Sequence, residues 1–196
     1  MKKKMQKRGA DMDRQAVDYR DERKTVDYIE SLPESSRAEL IEGRVFDMAA
    51  PGRFHQEIVS DLTWSIQNYI RGKKGGCKVY PSPFAVYINN DKYNYLEPDV
   101  TVVCDRDKLD NKGCHGAPDW VIEVISPSSV WLDCVIKLEK YRTSGVCLYW
   151  LINPDRRLVN VYDFENKASG VYGFDEQIPV SIYPDFGIRM DELLAE

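Results

Sequence analysis

The segment "WVIEVIS", residues 120–126, restricts the fold more than any other part of the chain. In an extended chain Trp120, Ile122 and Val124 point to one side, and Val121 and Ile125 share the other side with Glu123. A strand that is apolar on both faces belongs inside a sheet covered on both faces. Glu123 stands in the middle of it. An ionised carboxylate withdrawn from water there costs several kcal/mol unless a cation or good hydrogen bonds compensate. A second stretch, "EPDVTVVC" at 97–104, sets Asp99 at the entry to another apolar run, with Pro98 restricting the backbone before it. Two carboxylates on adjacent strands can converge on one point.

The rest of the chain supplies the covering layers. Residues 1–24 are polar and aperiodic and read as a poorly ordered basic arm, and residues 25–196 as one domain. "TVDYIESLP" predicts a short helix with Thr25 as N-cap. "AELIEGRVFDMA" predicts a hairpin turning at Glu42-Gly43. From Arg53 to about Arg71, Ile58, Leu62, Ile66 and Tyr69 or Ile70 recur at helical spacing, and the glycines of "GKKGG" end the helix. "CKVYPSPFAVYI" and "YNYLEPDVTVVC" read as strands, the first edge-like or bent because of its prolines. "DRDKLDNKGCHGAP" reads as loop, a helix follows from about Ser129 to Ser144, and "CLYWLINP" and "RLVNVYDF" form strands around the "NPDRR" turn. This order predicts an α/β fold with a central mixed sheet flanked by helices.

Composition narrows the function classes. No apolar run approaches the ~20 residues that span a bilayer, so no membrane association is expected. The charged segment after "MKKKMQKR" lacks the apolar core of a signal peptide, and a cytoplasmic location is expected. Five cysteines without close pairs suggest neither a disulfide framework nor a zinc knuckle, and reduced thiols are expected. The net charge of -5 does not advertise a nucleic-acid binder, although a local basic patch can override the total. No GxSxG, Walker A or Rossmann glycine pattern is present.

Asp99 and Glu123 together offer what Mg²⁺ requires, since this ion takes oxygen ligands and keeps several waters beside one or two carboxylates. A turn-capping Asp99 and a Glu123 paired with a lysine or arginine would satisfy the same sequence. Asp133, Lys137 and Tyr141 follow at successive four-residue steps on one helix face, where Lys137 could orient a nucleophile or pair with Asp133 at the surface. His55, at the start of the long helix, fits a core margin, a cap or a proton shuttle. His115 reads as a loop residue.

The pieces "AELIEGRVFDMAAPGRFHQEIVSDL", "EPDVTVVCD", "GAPDWVIEVISPSS", "DCVIKLEKYRTSGVCLYWLINP" and "VNVY", in this order, resemble the Uma-type restriction endonuclease-like proteins of the PD-(D/E)XK nuclease superfamily. The resemblance runs from about Thr25 to Leu194. It implies a restriction endonuclease-like fold in which Asp99 and Glu123 bind Mg²⁺ or Mn²⁺ and a lysine assists phosphodiester hydrolysis in DNA. Ile125 stands where the simple motif places that lysine, and Lys137 on the next helix matches the position to which it moves in other members. Asp133 and Tyr141 flank Lys137, Glu39 matches a recurrent acidic position, and His55 is a further polar contact. Superfamily members often work as dimers, which makes a homodimer a candidate assembly. A non-catalytic nucleic-acid- or protein-binding scaffold on the same fold is the alternative, because a fold does not by itself confer activity.

Overall fold

The structure is a computed structural model and describes residues 23–33, 35–126, 129 and 131–194. The arm expected at 1–24, apart from its last two residues, and the strand stop expected at Pro127 lie outside the described residues. In chain order the elements are α1 (Val26–Glu30), β1 (Ala38–Ile41), β2 (Arg44–Asp47), α2 (Arg53–Gly72), β3 (Lys78–Pro81), β4 (Ala85–Tyr87), β5 (Val100–Val103), β6 (Gly113–His115) and β7 (Trp120–Val124). A π-helical segment (Leu132–Lys137) runs directly into α3 (Leu138–Ser144), followed by β8 (Leu148–Asn153), β9 (Leu158–Asp163), β10 (Ala168–Gly173), β11 (Ile178–Pro179), β12 (Gly187–Ile188) and α4 (Met190–Leu193).

Six strands form the central sheet in the order β10-β9-β8-β7-β5-β3. It is mixed, because β7 and β8 run parallel while the other neighbours are antiparallel. The strand β7 lies inside the sheet with every residue buried. Its alternation divides the core as the sequence predicts. Trp120, Ile122 and Val124 pack with Ile58, Leu62 and Ile66 of α2 on one face, whereas Val121 packs with Tyr141 of α3, Tyr149 and Leu151 on the other.

The hairpin turns at Glu42 and Gly43, both with positive φ, which is the turn that matches strand twist in a two-residue connection. Only four residues long, β1 is nonetheless fully buried, and it delivers Glu39 to Lys137 at the end of the π-helical segment. The proline-containing β3 is an edge strand, as its sequence requires, and the chain leaves the main sheet after it. The segment expected to be loop at 105–118 holds a 3₁₀ turn (Arg106–Lys108) and β6, which pairs in parallel with β4. His115 thus sits in a strand, stacked on Tyr87, because pairing with a distant segment outweighs the local turn-rich composition.

A further expectation, that the cysteines are reduced thiols, needs correction. Cys77 and Cys104 form a disulfide, one step beyond the Lys78–Val103 pair of β3 and β5, while Cys114, Cys134 and Cys147 remain free. Strand register brings together two cysteines that lie 27 residues apart in the sequence, a proximity that spacing does not reveal. The helix expected from about Ser129 to Ser144 is present, and its stretch Leu132–Lys137 is π-helical.

Burial pushes the Cys114 thiol up to about 11 and the Tyr183 phenol up to about 12, so both are held neutral in the fold. Their contribution to stability is complete below the ordinary values of 9.0 and 10.0 and is lost as pH rises through about 11 and 12. Urea unfolding followed by circular dichroism should therefore give a falling stability over that alkaline window. Tyr183→Phe should remove the phenol's share of the fall between about pH 10 and 12; an unaltered profile would contradict this assignment.

Candidate active site

Asp99 immediately precedes β5 and Glu123 lies near the end of β7. The antiparallel register Val100–Ile122 puts them opposite each other at the same end of the sheet. The two residues are tied by backbone. Asp99 Oδ2 accepts a hydrogen bond from the Val124 N–H at 2.8 Å, and the Asp99 N–H reaches Glu123 Oε2 at 3.4 Å.

Beneath them lies a buried ionic cluster. Lys137 Nζ contacts Glu39 Oε2 at 2.8 Å, Glu123 Oε1 at 3.0 Å and Asp133 Oδ1 at 3.5 Å. Tyr141 donates its hydroxyl to Glu123 Oε1 at 2.7 Å, so this oxygen has two donors. Glu39 Oε1 accepts the Glu97 N–H at 3.0 Å. Glu39, Glu123, Asp133 and Lys137 are each no more than 3% exposed. Asp133 and Lys137 are thus not the surface pair that their four-residue spacing allows. The hairpin closes over them, and burial of the whole helix face is decided by that tertiary packing.

His55 enters from α2, on the opposite face of the sheet, and its Nε2 lies 3.2 Å from Asp99 Oδ2. It neither caps the helix nor simply lines the core. Its Nδ1 is buried with no hydrogen-bond partner among the described residues. All seven residues singled out in the sequence therefore meet in one place, linked by direct contacts.

Electrostatics at the site are unbalanced. Four carboxylates, Glu39, Asp99, Glu123 and Asp133, share one lysine and one histidine. Burial raises Glu123 well above the usual carboxylate range; Lys137 opposes that rise, and Asp133, Asp99 and Glu39 add to it. Asp133 is raised by burial too, against the pull of Lys137 and the Ser129 hydroxyl. Burial alone would lower Lys137, but Glu123, Glu39 and Asp133 outweigh it and hold the ammonium well above its ordinary value. Burial likewise disfavours a charged His55, yet the hydrogen bond and charge of Asp99 turn the net shift upward.

A further network adjoins the cluster and escaped the sequence reading. Glu97, two residues before Asp99, receives Tyr95 Oη on Oε1 at 2.7 Å and the Arg37 guanidinium on Oε2 at 2.7 and 3.0 Å. Arg37 also donates to Ser82 Oγ at 2.6 Å. The available signal was Glu97 itself, a second acid beside Pro98 in the "EPDV" stretch.

The residues present fit a hard divalent cation. Among the described residues, no three His, Cys, Asp or Glu side chains are grouped to hold a metal. Mg²⁺ needs only one or two carboxylates and retains its waters. Glu123 Oε2 has a single long hydrogen bond, and Asp99 Oδ1 has no hydrogen bond among the described residues, so each carboxylate keeps an oxygen for such an ion.

This arrangement of a mixed sheet between helices is a nuclease fold. A crystal structure described as "a putative nuclease belonging to DUF820" from Anabaena variabilis ATCC 29413 superposes with a TM-score of 0.71 at 23% identity, over 87% of this chain and 97% of that one. The family model described as "Uma2: Putative restriction endonuclease" matches residues 25–191, and the chain belongs to that family of nuclease-like proteins. A Synechocystis sp. (strain ATCC 27184 / PCC 6803 / Kazusa) protein described as "Uncharacterized protein slr1290" is 30% identical over 95 residues, 48% of each chain, so the match spans about half of that relative. Among the described residues no helix is long and apolar enough to cross a membrane.

Removing the lysine should expose the strength of the cluster. Lys137→Met should destabilise the protein by about 3–5 kcal/mol, because it leaves buried carboxylates without their cation. Adding Glu123→Gln to that variant should recover part of the loss, and a double-mutant cycle in urea measures the coupling. Strictly additive losses would contradict a shared ionic cluster.

Proposed function

We propose that this protein is a metal-dependent endonuclease that hydrolyses phosphodiester bonds in DNA, using Mg²⁺ or Mn²⁺ held by Asp99 and Glu123. One observation carries the reading: Asp99 and Glu123 face each other across β5 and β7, each with an oxygen to spare, above a cluster whose carboxylates outnumber its cations. A divalent ion at that position supplies Lewis acidity toward a phosphoryl oxygen and lowers the pKa of a bound water. Family membership supports nuclease-like chemistry, and the DNA substrate follows the restriction endonuclease resemblance.

The chain's own residues have distinct tasks in this reading. Lys137 and Tyr141 fix Glu123 Oε1 and leave Oε2 turned toward Asp99. The Val124 N–H and His55 fix Asp99 Oδ2. Glu39 and Asp133 hold the Lys137 ammonium beside Glu123, where its charge opposes the negative charge that gathers on a phosphate during attack. These contacts orient the two ligand carboxylates before substrate arrives, and so reduce reorganisation during the reaction.

Supercoiled plasmid incubated with Mg²⁺ or Mn²⁺ should be nicked or linearised by the wild-type protein. Asp99→Ala should lower the rate by at least about 100-fold, since one of two metal ligands is gone. Retained cleavage in that variant would overturn the site assignment. Binding of DNA without cleavage by the wild type would select the scaffold alternative.

A further inference from the structure

The cluster beneath Asp99 poses a problem for any phosphodiester. Its lysine is buried and touches three carboxylates, so its ammonium has no N–H left to donate to a second anion and acts on a phosphate through its charge alone, without direct contact. The protein is acidic overall, with a net charge of -5. A polyanion therefore needs a cation that lies beside Asp99 and reaches solvent.

Arg37 meets both requirements. It precedes β1, and its side chain is 34% exposed whereas that of Glu97 is 10% exposed. The Nε and Nη2 atoms of the guanidinium are taken up by Glu97 Oε2, and Nη2 also reaches Ser82 Oγ. These anchors bracket the Asp99 backbone: Glu97 is two residues away, and the Ser82 N–H donates to the Asp99 carbonyl at 3.0 Å. Glu97 is itself fixed by Tyr95 Oη and, through its own N–H, by Glu39. The guanidinium is consequently held in one orientation rather than swinging freely, which reduces the entropy lost on binding. Nη1 makes no hydrogen bond among the described residues. Ser82 Oγ accepts from Arg37 and so retains its own proton to donate.

We propose that Arg37 Nη1, together with the Ser82 hydroxyl, binds a non-bridging oxygen of a backbone phosphate next to the scissile one, so that Arg37 is a substrate-binding residue of this site. The inference rests on the nuclease reading above and adds the residue that meets the substrate's charge. A planar guanidinium with one edge anchored and one nitrogen open suits a phosphate oxyanion, and a hydroxyl donor beside it adds a second hydrogen bond. The contact is independent of base identity and serves affinity and positioning.

Fluorescence anisotropy of a labelled DNA duplex, titrated in EDTA over a range of KCl, tests this without cleavage. The wild type should bind with a salt-dependent affinity. Arg37→Gln should bind roughly ten-fold more weakly, and its plot of log affinity against log salt should be shallower by about 0.9, the value for one lost phosphate contact. Arg37→Gln leaves Glu97 without its cation, so the double variant Arg37→Gln/Glu97→Gln provides a neutral network and should show the same shallower slope with wild-type melting behaviour. Arg142→Gln, which removes an exposed arginine on α3 whose one ion pair among the described residues is with Glu139, should match the wild type. Unchanged affinity and slope in a folded Arg37 variant or in the double variant would overturn the Arg37 assignment alone. Absence of any salt-dependent binding by the wild type would overturn the DNA reading and this assignment with it.

Discussion

The contact of Lys137 with Glu39, Glu123 and Asp133 governs how this molecule is put together. One ammonium joins β1 to the centre of the sheet at β7 and to the π-helical turn that follows it, with β1 lying far from both in the chain. Burying ions is costly, and a well-packed apolar core of the same shape would be at least as stable. The cluster therefore makes sense as a device for geometry more than for stability. It fixes where the hairpin docks, which turn of the helix faces the sheet, and which oxygen of Glu123 remains available.

Those placements explain why the site sits at one end of the sheet. Because β5 and β7 are antiparallel, the start of one and the end of the other coincide, and Asp99 and Glu123 meet there. The two faces of the sheet then contribute from opposite sides. The α2 face provides His55, and the α3 face provides Lys137, Asp133 and Tyr141. The π turn belongs to the same constraint. It carries Asp133 and Lys137, the two residues that must both reach beneath Glu123, and widened turns of this type recur at functional sites. The Arg37, Glu97 and Tyr95 network extends the polar path from the buried cluster to solvent.

Much of this was legible in the sequence, for identifiable reasons. Period-two alternation in "WVIEVIS" separates two apolar faces and marks Glu123 as anomalous; period-3.6 spacing marks α2; Glu42-Gly43 marks the hairpin turn. The candidate site residues could be named because each is a polar group inside an apolar pattern or a match to the family motif. What escaped was set by register and tertiary packing. Cys77 meets Cys104 only through the pairing of β3 with β5, and β6 exists only because β4 lies beside it. Asp133 and Lys137 have the spacing of a solvated pair, and nothing local indicates that a hairpin will cover them. Arg37 was overlooked because a lone arginine before a strand has no pattern to betray its partner 60 residues away.

In the proposed function, Asp99 and Glu123 are a ligand pair kept in place by the Lys137 cluster. Calorimetric titration of Mn²⁺ into the wild type, Asp99→Ala and Glu123→Ala tests it most directly, because it registers binding whether or not the protein is cleaving anything. A binding isotherm is expected for the wild type and none for either variant, with both variants folded by circular dichroism. Equal Mn²⁺ affinity in all three would contradict it.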